Sequence, residues 1–264
     1  MQTFSEATAV HPVDGGFRAD LDPQWGVGDK LHGGYLMAVI ARAVTATASG
    51  FPHPIAMTTT FLRPPRPGGA QVAVELLRAG RGSAQFRARL SQDGAACAES
   101  LVTQGVLDEA APWWSGLPTP ALPAEEECYL LPSLPPGAAF PVHLLDVVEH
   151  RLDPTCLTFA MGHPSTTGQI SGYLRLADGT DWDPLSLLVA LDPTPPISLT
   201  LGIQGWAPTI TLTAYLRRLP AAGPLRMTMQ SAEVTSGRMD ETAQLWDAAG
   251  ALVAQATQLA AVRF

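Results

Sequence analysis

The spacing of apolar positions changes several times along the chain, and each change marks an element. In HGGYLMAVIARAVTATA, residues 32–48, Leu36, Val39, Ile40 and Ala43 recur at helical spacing, which predicts a helix opened by Gly33 and Gly34. A helix start leaves its first backbone N–H groups without intrahelical partners, and small residues keep them open to a ligand. Residues 55–62 are β-branched and aromatic and stop at Pro64 and Pro65, which predicts a strand. Three alternating runs follow, at 71–78, 84–92 and 95–106, separated by AGRG and QDG. Both separators are turn signals, so this stretch predicts a three-stranded meander.

The second half repeats the plan. VHLLDVVEHRLD, TCLTFAMGH and SGYLRLAD read as strands. DWDPLSLLVALDP then predicts a helix with Asp183 as N-cap and Pro184 in its first turn. Leu185, Leu188 and Leu191 line one face, and Pro193 after Asp192 stops it. PTITLTAYLRR reads as a strand, and a meander closes the chain: PLRMTMQSAEV, DETAQLWDAAG, ALVAQATQLAAVRF. Each half therefore has a helix, a strand ending in aromatic–Leu–Arg (FLRP from Phe61, YLRR from Tyr215), then further strands. Leu62 lies 32 positions before the hairpin glycine Gly94, and Leu216 lies 34 before Gly250. This preserved order and spacing predicts a duplication, with the segment 109–140 as a Pro-rich linker between units 1–108 and 141–264. Trp113 and Trp114 in the linker lead to the expectation that parts of it pack on a domain.

Composition narrows the function. The 264 residues are 46% hydrophobic and 15% charged, the signature of a folded globular chain. Net charge is −8, and Lys30 is the sole lysine. An acidic chain without a basic stripe argues against nucleic acid as the main partner. No apolar run is long enough to cross a bilayer, and MQTFSEATAV has neither a basic nor an apolar leader segment, so neither a membrane nor a secretory destination is expected. Cys97, Cys128 and Cys156 are odd in number and widely spaced, which fits a reducing cytoplasm. The six histidines lack ligand spacing, so no metal and no cofactor is expected.

A long helix before a curved antiparallel sheet, twice in one chain, resembles an α+β double hotdog fold. HGGYL opening the first helix, FLRP after it, and GALVAQATQLAAV in the closing strand are similar to the type II acyl-CoA thioesterase family. The resemblance covers most of the chain outside the Pro-rich middle. It implies hydrolysis of acyl-CoA to free acid and coenzyme A, in a protein that can form homo-oligomers. It further implies three catalytic groups from the second unit, an aspartate, a threonine and a glutamine. The matching positions are Asp192 on the second helix and Gln258, eight residues after Gly250. The threonine is Thr209 if the double arginine sets the register, with Thr211 as the alternative. Simple strand alternation puts Thr209, Thr211 and Thr213 on one face. His32, Gly33, Gly34 and Tyr35 are the matching substrate-binding stretch.

These residue types suit thioester hydrolysis. A carboxylate can serve as general base or as nucleophile. Glutamine and threonine can orient water, and N–H groups at the helix start can polarise the carbonyl. Each also has a plainer reading. Asp192 stands in an Asp-Pro dipeptide, a common turn starter; Gln258 suits a solvated strand, and its counterpart eight residues after Gly94 is Val102. His32 suits a helix cap, and the glycines suit close packing of helix on sheet. Arg63, Arg66, Arg217 and Arg218 read as solvated strand ends rather than phosphate ligands. Two rival functions remain: a non-catalytic acyl-CoA or lipid-binding module, and release of an acyl group from a carrier protein. A hotdog dehydratase is disfavoured, because the second helix has no histidine.

Overall fold

In the computed structural model, residues 2–135, 138–165, 167–192 and 195–263 are described. After a single helical turn at Phe4–Ala7 come the hairpin β1 (Val10–Val13) and β2 (Gly16–Leu21), then α1 (Gly33–Thr47), β3 (His53–Phe61), β4 (Gly68–Ala79), β5 (Ala84–Gln92) and β6 (Ala95–Gly105). After the Pro-rich segment come β7 (Tyr129–Leu130), β8 (Val148–Leu152), β9 (Gln169–Leu176), the short helices α2 (Ser186–Ala190) and α3 (Ile197–Thr200), β10 (Thr209–Leu216), β11 (Leu225–Gln230), β12 (Arg238–Trp246) and β13 (Leu252–Ala261).

Among the described residues these strands join one antiparallel sheet in the order β1-β2-β4-β5-β6-β3-β10-β13-β12-β11-β9-β8-β7, with Val234–Thr235 pairing β12. The order runs alike in both directions from the central pair, where β3 meets β10 with Thr60 opposite Thr211 and Ala56 opposite Tyr215. Both central strands carry the same irregularity, between Pro54 and Ala56 in β3 and between Thr209 and Thr211 in β10, 155 positions apart. The strand ends match too: Leu62 N–H donates to Cys97 O and Arg217 N–H to Val253 O, both at 2.8 Å. Leu62 therefore matches Arg217. The pairing of FLR with YLR suggested by the letters is one residue out of step.

The sheet encloses a core centred on α1, whose residues from Gly34 to Ala41 are all buried. The alternating burial of β5 and β12 is what strands with one face on that core require. The hairpin turns fall where the sequence places them. Gly94 and Gly250 adopt φ of +75° and +81°, which glycine accommodates without steric cost.

Three expectations are corrected. The helix expected from Asp183 to Pro193 is only one turn and a half of chain, Ser186–Ala190. Asp183 still accepts from Ser186 N–H at 2.6 Å, but the helix ends at Ala190, and the next helix among the described residues is Ile197–Thr200. Proline after Asp192 disfavours the α conformation there. TCLTFAMGH is not a strand: Pro154–Met161 forms a 3-10 helix, capped by Asp153, which accepts from Thr155 N–H at 2.9 Å, and ended by Gly162 at φ +80°. In VHLLDVVEHRLD, Leu144–Val147 is helical and only Val148–Leu152 is strand. Parts of the Pro-rich segment do pack on the domain, though not at Trp113 and Trp114, which are both exposed. The Pro-rich segment is anchored further along. Thr119 donates to Gly250 O at 2.7 Å, Pro123 O accepts from Tyr173, and Glu125 holds Arg175 through two hydrogen bonds.

Candidate active site

Asp192 is held against the start of α1. The first half thus positions a side chain from the second. His32 is the N-cap of α1, in extended conformation, and its Nδ1 accepts from Tyr35 N–H at 3.3 Å. Nδ1 must then be unprotonated, so the proton sits on Nε2. Nε2–H donates to the backbone carbonyl of Asp192 at 2.5 Å and lies 3.3 Å from its Oδ2. Gly34 N–H donates to the same Oδ2 at 3.0 Å. A carboxylate at this end of a helix is also favoured by the helix dipole.

The two glycines do different work. A Cβ on Gly34 would lie 2.4 Å from Leu188 O, so its absence lets α1 meet α2 backbone to backbone. A Cβ on Gly33 would lie 2.8 Å from Asp192 Oδ2 and 3.1 Å from the Phe61 ring. Gly33 therefore clears room for the carboxylate itself.

A second cluster stands on the sheet. Gln258 on β13 lies between Leu212 of β10 and Glu241 of β12, and all three share the face turned toward the core. Thr209 donates to Gln258 Oε1 at 2.9 Å, and Gln258 Nε2 donates to Glu241 Oε2. Glu241 Oε1 accepts from Ile197 N–H, at the start of α3, at 2.8 Å. Glu241 is only 2% exposed, and burial is the main reason its carboxyl is pushed up to about 7. The hydrogen bonds from Ile197 and Gln258 pull the other way, and the charges of Asp192 and Asp240 add to the rise. Asp192 thus acts electrostatically on Glu241, the last member of the Thr209–Gln258–Glu241 chain. Glu241 was not among the residues anticipated from sequence.

The threonines separate. The irregularity between Thr209 and Thr211 breaks the alternation of β10, as a bulge does. Thr209 lies opposite the buried Ala260, while Thr211 lies opposite the exposed Leu259. Thr213 bonds Thr58 at 3.1 Å on the outer face. The expectation of one shared face is therefore wrong, and Thr211 points away from Gln258. Tyr35 is also corrected as a substrate contact. Its side chain is wholly buried, its hydroxyl donates to Ala7 O at 2.7 Å and accepts from Asp22 N–H at 2.9 Å, and its ring stacks on Trp25. Burial raises its hydroxyl to about 12. His32 is likewise buried and acts on Asp192 rather than facing outward. Gly34 N–H, expected to polarise a substrate carbonyl, is occupied by Asp192. Arg63, Arg66 and Arg217 are exposed, as solvated strand ends are.

A surface concavity of about 780 Å³ lies elsewhere, lined by Glu6, His11, Asp20, Asp22 and Gln24. It touches none of Asp192, Thr209, Gln258 or Glu241. No helix among the described residues is long and apolar enough to cross a membrane.

Two family descriptions match the sequence. "Acyl-CoA thioesterase N-terminal domain" matches residues 21–105, and "Acyl-CoA thioesterase C-terminal domain" matches 123–262. A candidate thioesterase II from Thermobifida fusca has a similar structure, with TM-score 0.90 and 33% identity over 100% of this chain and 98% of that one. A conserved protein of unknown function with a hot dog fold from Alicyclobacillus acidocaldarius aligns with TM-score 0.87 at 18% identity, covering 100% and 99%. An uncharacterized protein of Mycobacterium tuberculosis is 29% identical over 98% of both chains.

Proposed function

The chain belongs to the acyl-CoA thioesterase family, and from that premise we propose that it hydrolyses acyl-CoA thioesters to the free acid and coenzyme A, using Asp192, Thr209 and Gln258. The observation that carries this reading is the Asp192 carboxylate pinned by Gly34 N–H at the start of α1, beside a Thr209–Gln258 pair that is hydrogen-bonded to Glu241, the group on which the Asp192 charge acts. Oδ2 is engaged there, and Oδ1 is the oxygen assigned to the attacking water. Asp192 acts as general base. It takes a proton from water as the oxygen attacks the thioester carbon. The tetrahedral intermediate then expels the coenzyme A sulfur, which leaves with that proton. Gly33 N–H, on the turn whose Cβ space is kept clear, is the backbone donor assigned to the developing oxyanion.

The same reading treats the chain as a double hotdog, with units 1–108 and 141–264 joined by 109–140. The mirrored strand order and the matching irregularities of β3 and β10 support it. One unit supplies the helix start and the other the polar side chains.

The test is free-thiol release from a panel of acyl-CoAs of increasing chain length, by wild type and Asp192→Asn. Wild type hydrolyses part of the panel and the variant does not. No release at any length sinks the activity, and full activity in the variant sinks the site.

A further inference from the structure

We propose that Glu241 is a positioning residue of this site: its carboxylate fixes which way round the Gln258 amide lies, and through that amide sets the donor direction of the Thr209 hydroxyl. The inference rests on the hydrolytic reading above and adds a residue to it. It starts from the cost of the group. A buried carboxylate is unfavourable unless its oxygens are satisfied. Glu241 has a partner on each oxygen, Ile197 N–H at 2.8 Å on Oε1 and the Gln258 amide on Oε2.

An ionised carboxylate only accepts hydrogen bonds. Gln258 must therefore present its NH2 group to Glu241, which turns Oε1 toward Thr209. The Thr209 hydroxyl then spends its single proton on Oε1, at 2.9 Å. What remains for a water is the acceptor side of the Thr209 oxygen and the second N–H of Gln258. A water between them gives a hydrogen to Thr209 and accepts one from Gln258, leaving its other hydrogen for Asp192 and a lone pair for the thioester. A reversed amide would set Oε1 against the Glu241 carboxylate, two acceptors face to face. Protonated Glu241 can donate, so the lock is released and both amide orientations become open.

The charged groups acting on Glu241 are Asp192, from the segment after α2, and Asp240, its neighbour on β12. Asp240 is itself bound by the N–H groups of Ala232 and Glu233. Both carboxylates oppose ionisation, so the lock engages as pH rises through about 7.

The experiment is the pH dependence of kcat/KM for wild type and Glu241→Gln, with carboxyl and side-chain amide NMR on the wild type. Wild type shows an acid limb with a midpoint near 7. The variant loses that limb, and its kcat at pH 8 falls about tenfold with KM little changed, the size set by one hydrogen bond to a charged group. In the wild-type spectrum the Gln258 amide protons shift with the same midpoint as the Glu241 carboxyl. A variant with the wild-type profile and rate overturns the inference. So do Gln258 resonances that ignore the Glu241 titration, a result that needs no folded variant. Loss of activity in Asp192→Asn alongside wild-type behaviour in Glu241→Gln removes this inference alone. Full activity in Asp192→Asn removes the hydrolytic reading and this inference with it.

Discussion

Leu212 and Met57 stand three positions after the matching irregularities of β10 and β3. From Leu212 the ladder runs outward through Gln258 to Glu241; from Met57 it runs through Val102 to Phe86. Thr209 at the irregularity is matched by Pro54. One half therefore places a hydroxyl, an amide and a carboxylate where the other places Pro, Val and Phe, with Val102 and Phe86 fully packed. The frame does not require the polar set, because the same ladder is built without it. Buried polar groups are costly unless satisfied. On this row they stand in one half only, each with a partner, which is the arrangement the proposed site uses.

The strongest way to break this comparison is to remove the base. Asp192→Asn should lower kcat by about 10²–10⁴, the range of general-base contributions, with little change in melting temperature. Thiol release under saturating acyl-CoA reads it. Gln258→Val gives the second half the residue of the first. It should cost turnover about 10²-fold and, by stripping partners from Glu241 and Thr209, about 1–3 kcal/mol of stability. If that variant is fully active, the asymmetry between the halves has nothing to do with hydrolysis.

The glycines sharpen the comparison within one turn of α1. Gly34→Ala drives a methyl against the Leu188 carbonyl, where backbone cannot step aside, so it should destabilise by about 1–3 kcal/mol and lower the melting temperature. Gly33→Ala meets the end of the Asp192 side chain instead. It should displace the carboxylate and cut kcat about tenfold or more while the fold survives, since a small misplacement of a catalytic group is expensive. Equal effects on stability and rate in both variants would erase the distinction.

Glu241 also leaves a thermodynamic mark. Its folded value of about 7 lies above the ordinary 4.5. Between those values the folded chain keeps a proton that the unfolded chain has lost, so the contribution of Glu241 to stability falls as pH rises from 4.5 to 7 and is constant on either side. The fall is up to about 3 kcal/mol at 1.36 kcal/mol per unit. Denaturation midpoints at pH 5, 6, 7 and 8 measure it, and Glu241→Gln should flatten the slope. Phe86→Leu, at the matching place in the first half, should leave the slope intact.

Where the chain alternates cleanly the elements are legible in the sequence: β3 to β6 fall within a few residues of their expected bounds, as do β10 and β13. Asp192, Thr209 and Gln258 were legible as a set only through family likeness. Glu241 was not: period-two alternation does group it with Met239, Ala243 and Leu245 on the buried face of β12, but a lone glutamate on an apolar face says nothing by itself about a role. The signal was there in the comparison of halves, where Glu241 matches a buried phenylalanine. The 3-10 helix at 154–161 was missed because its apolar residues outweigh its cap, Asp153 before Pro154, which is a turn starter. The hairpin of β1 and β2 has Asp14-Gly15 at its turn as its one sequence mark.

The threonines give the smallest effect and the narrowest test. Alternation alone cannot rank Thr209 and Thr211, two positions apart on one strand. The irregularity between them does, by turning Thr209 to Gln258 and leaving Thr211 beside Leu259 on the outer face. Thr209→Val keeps the β-branched shape and removes the hydroxyl, so it should lower kcat about tenfold, the worth of one well-placed hydrogen bond. Thr211→Val removes a half-exposed hydroxyl far from the amide. It should change stability by less than about 0.5 kcal/mol and leave kcat and KM unchanged. Steady-state kinetics on the two variants at one pH decides it. If Thr211→Val is the slower enzyme, Thr211 and not Thr209 serves the amide, and the row that separates the halves starts two residues later.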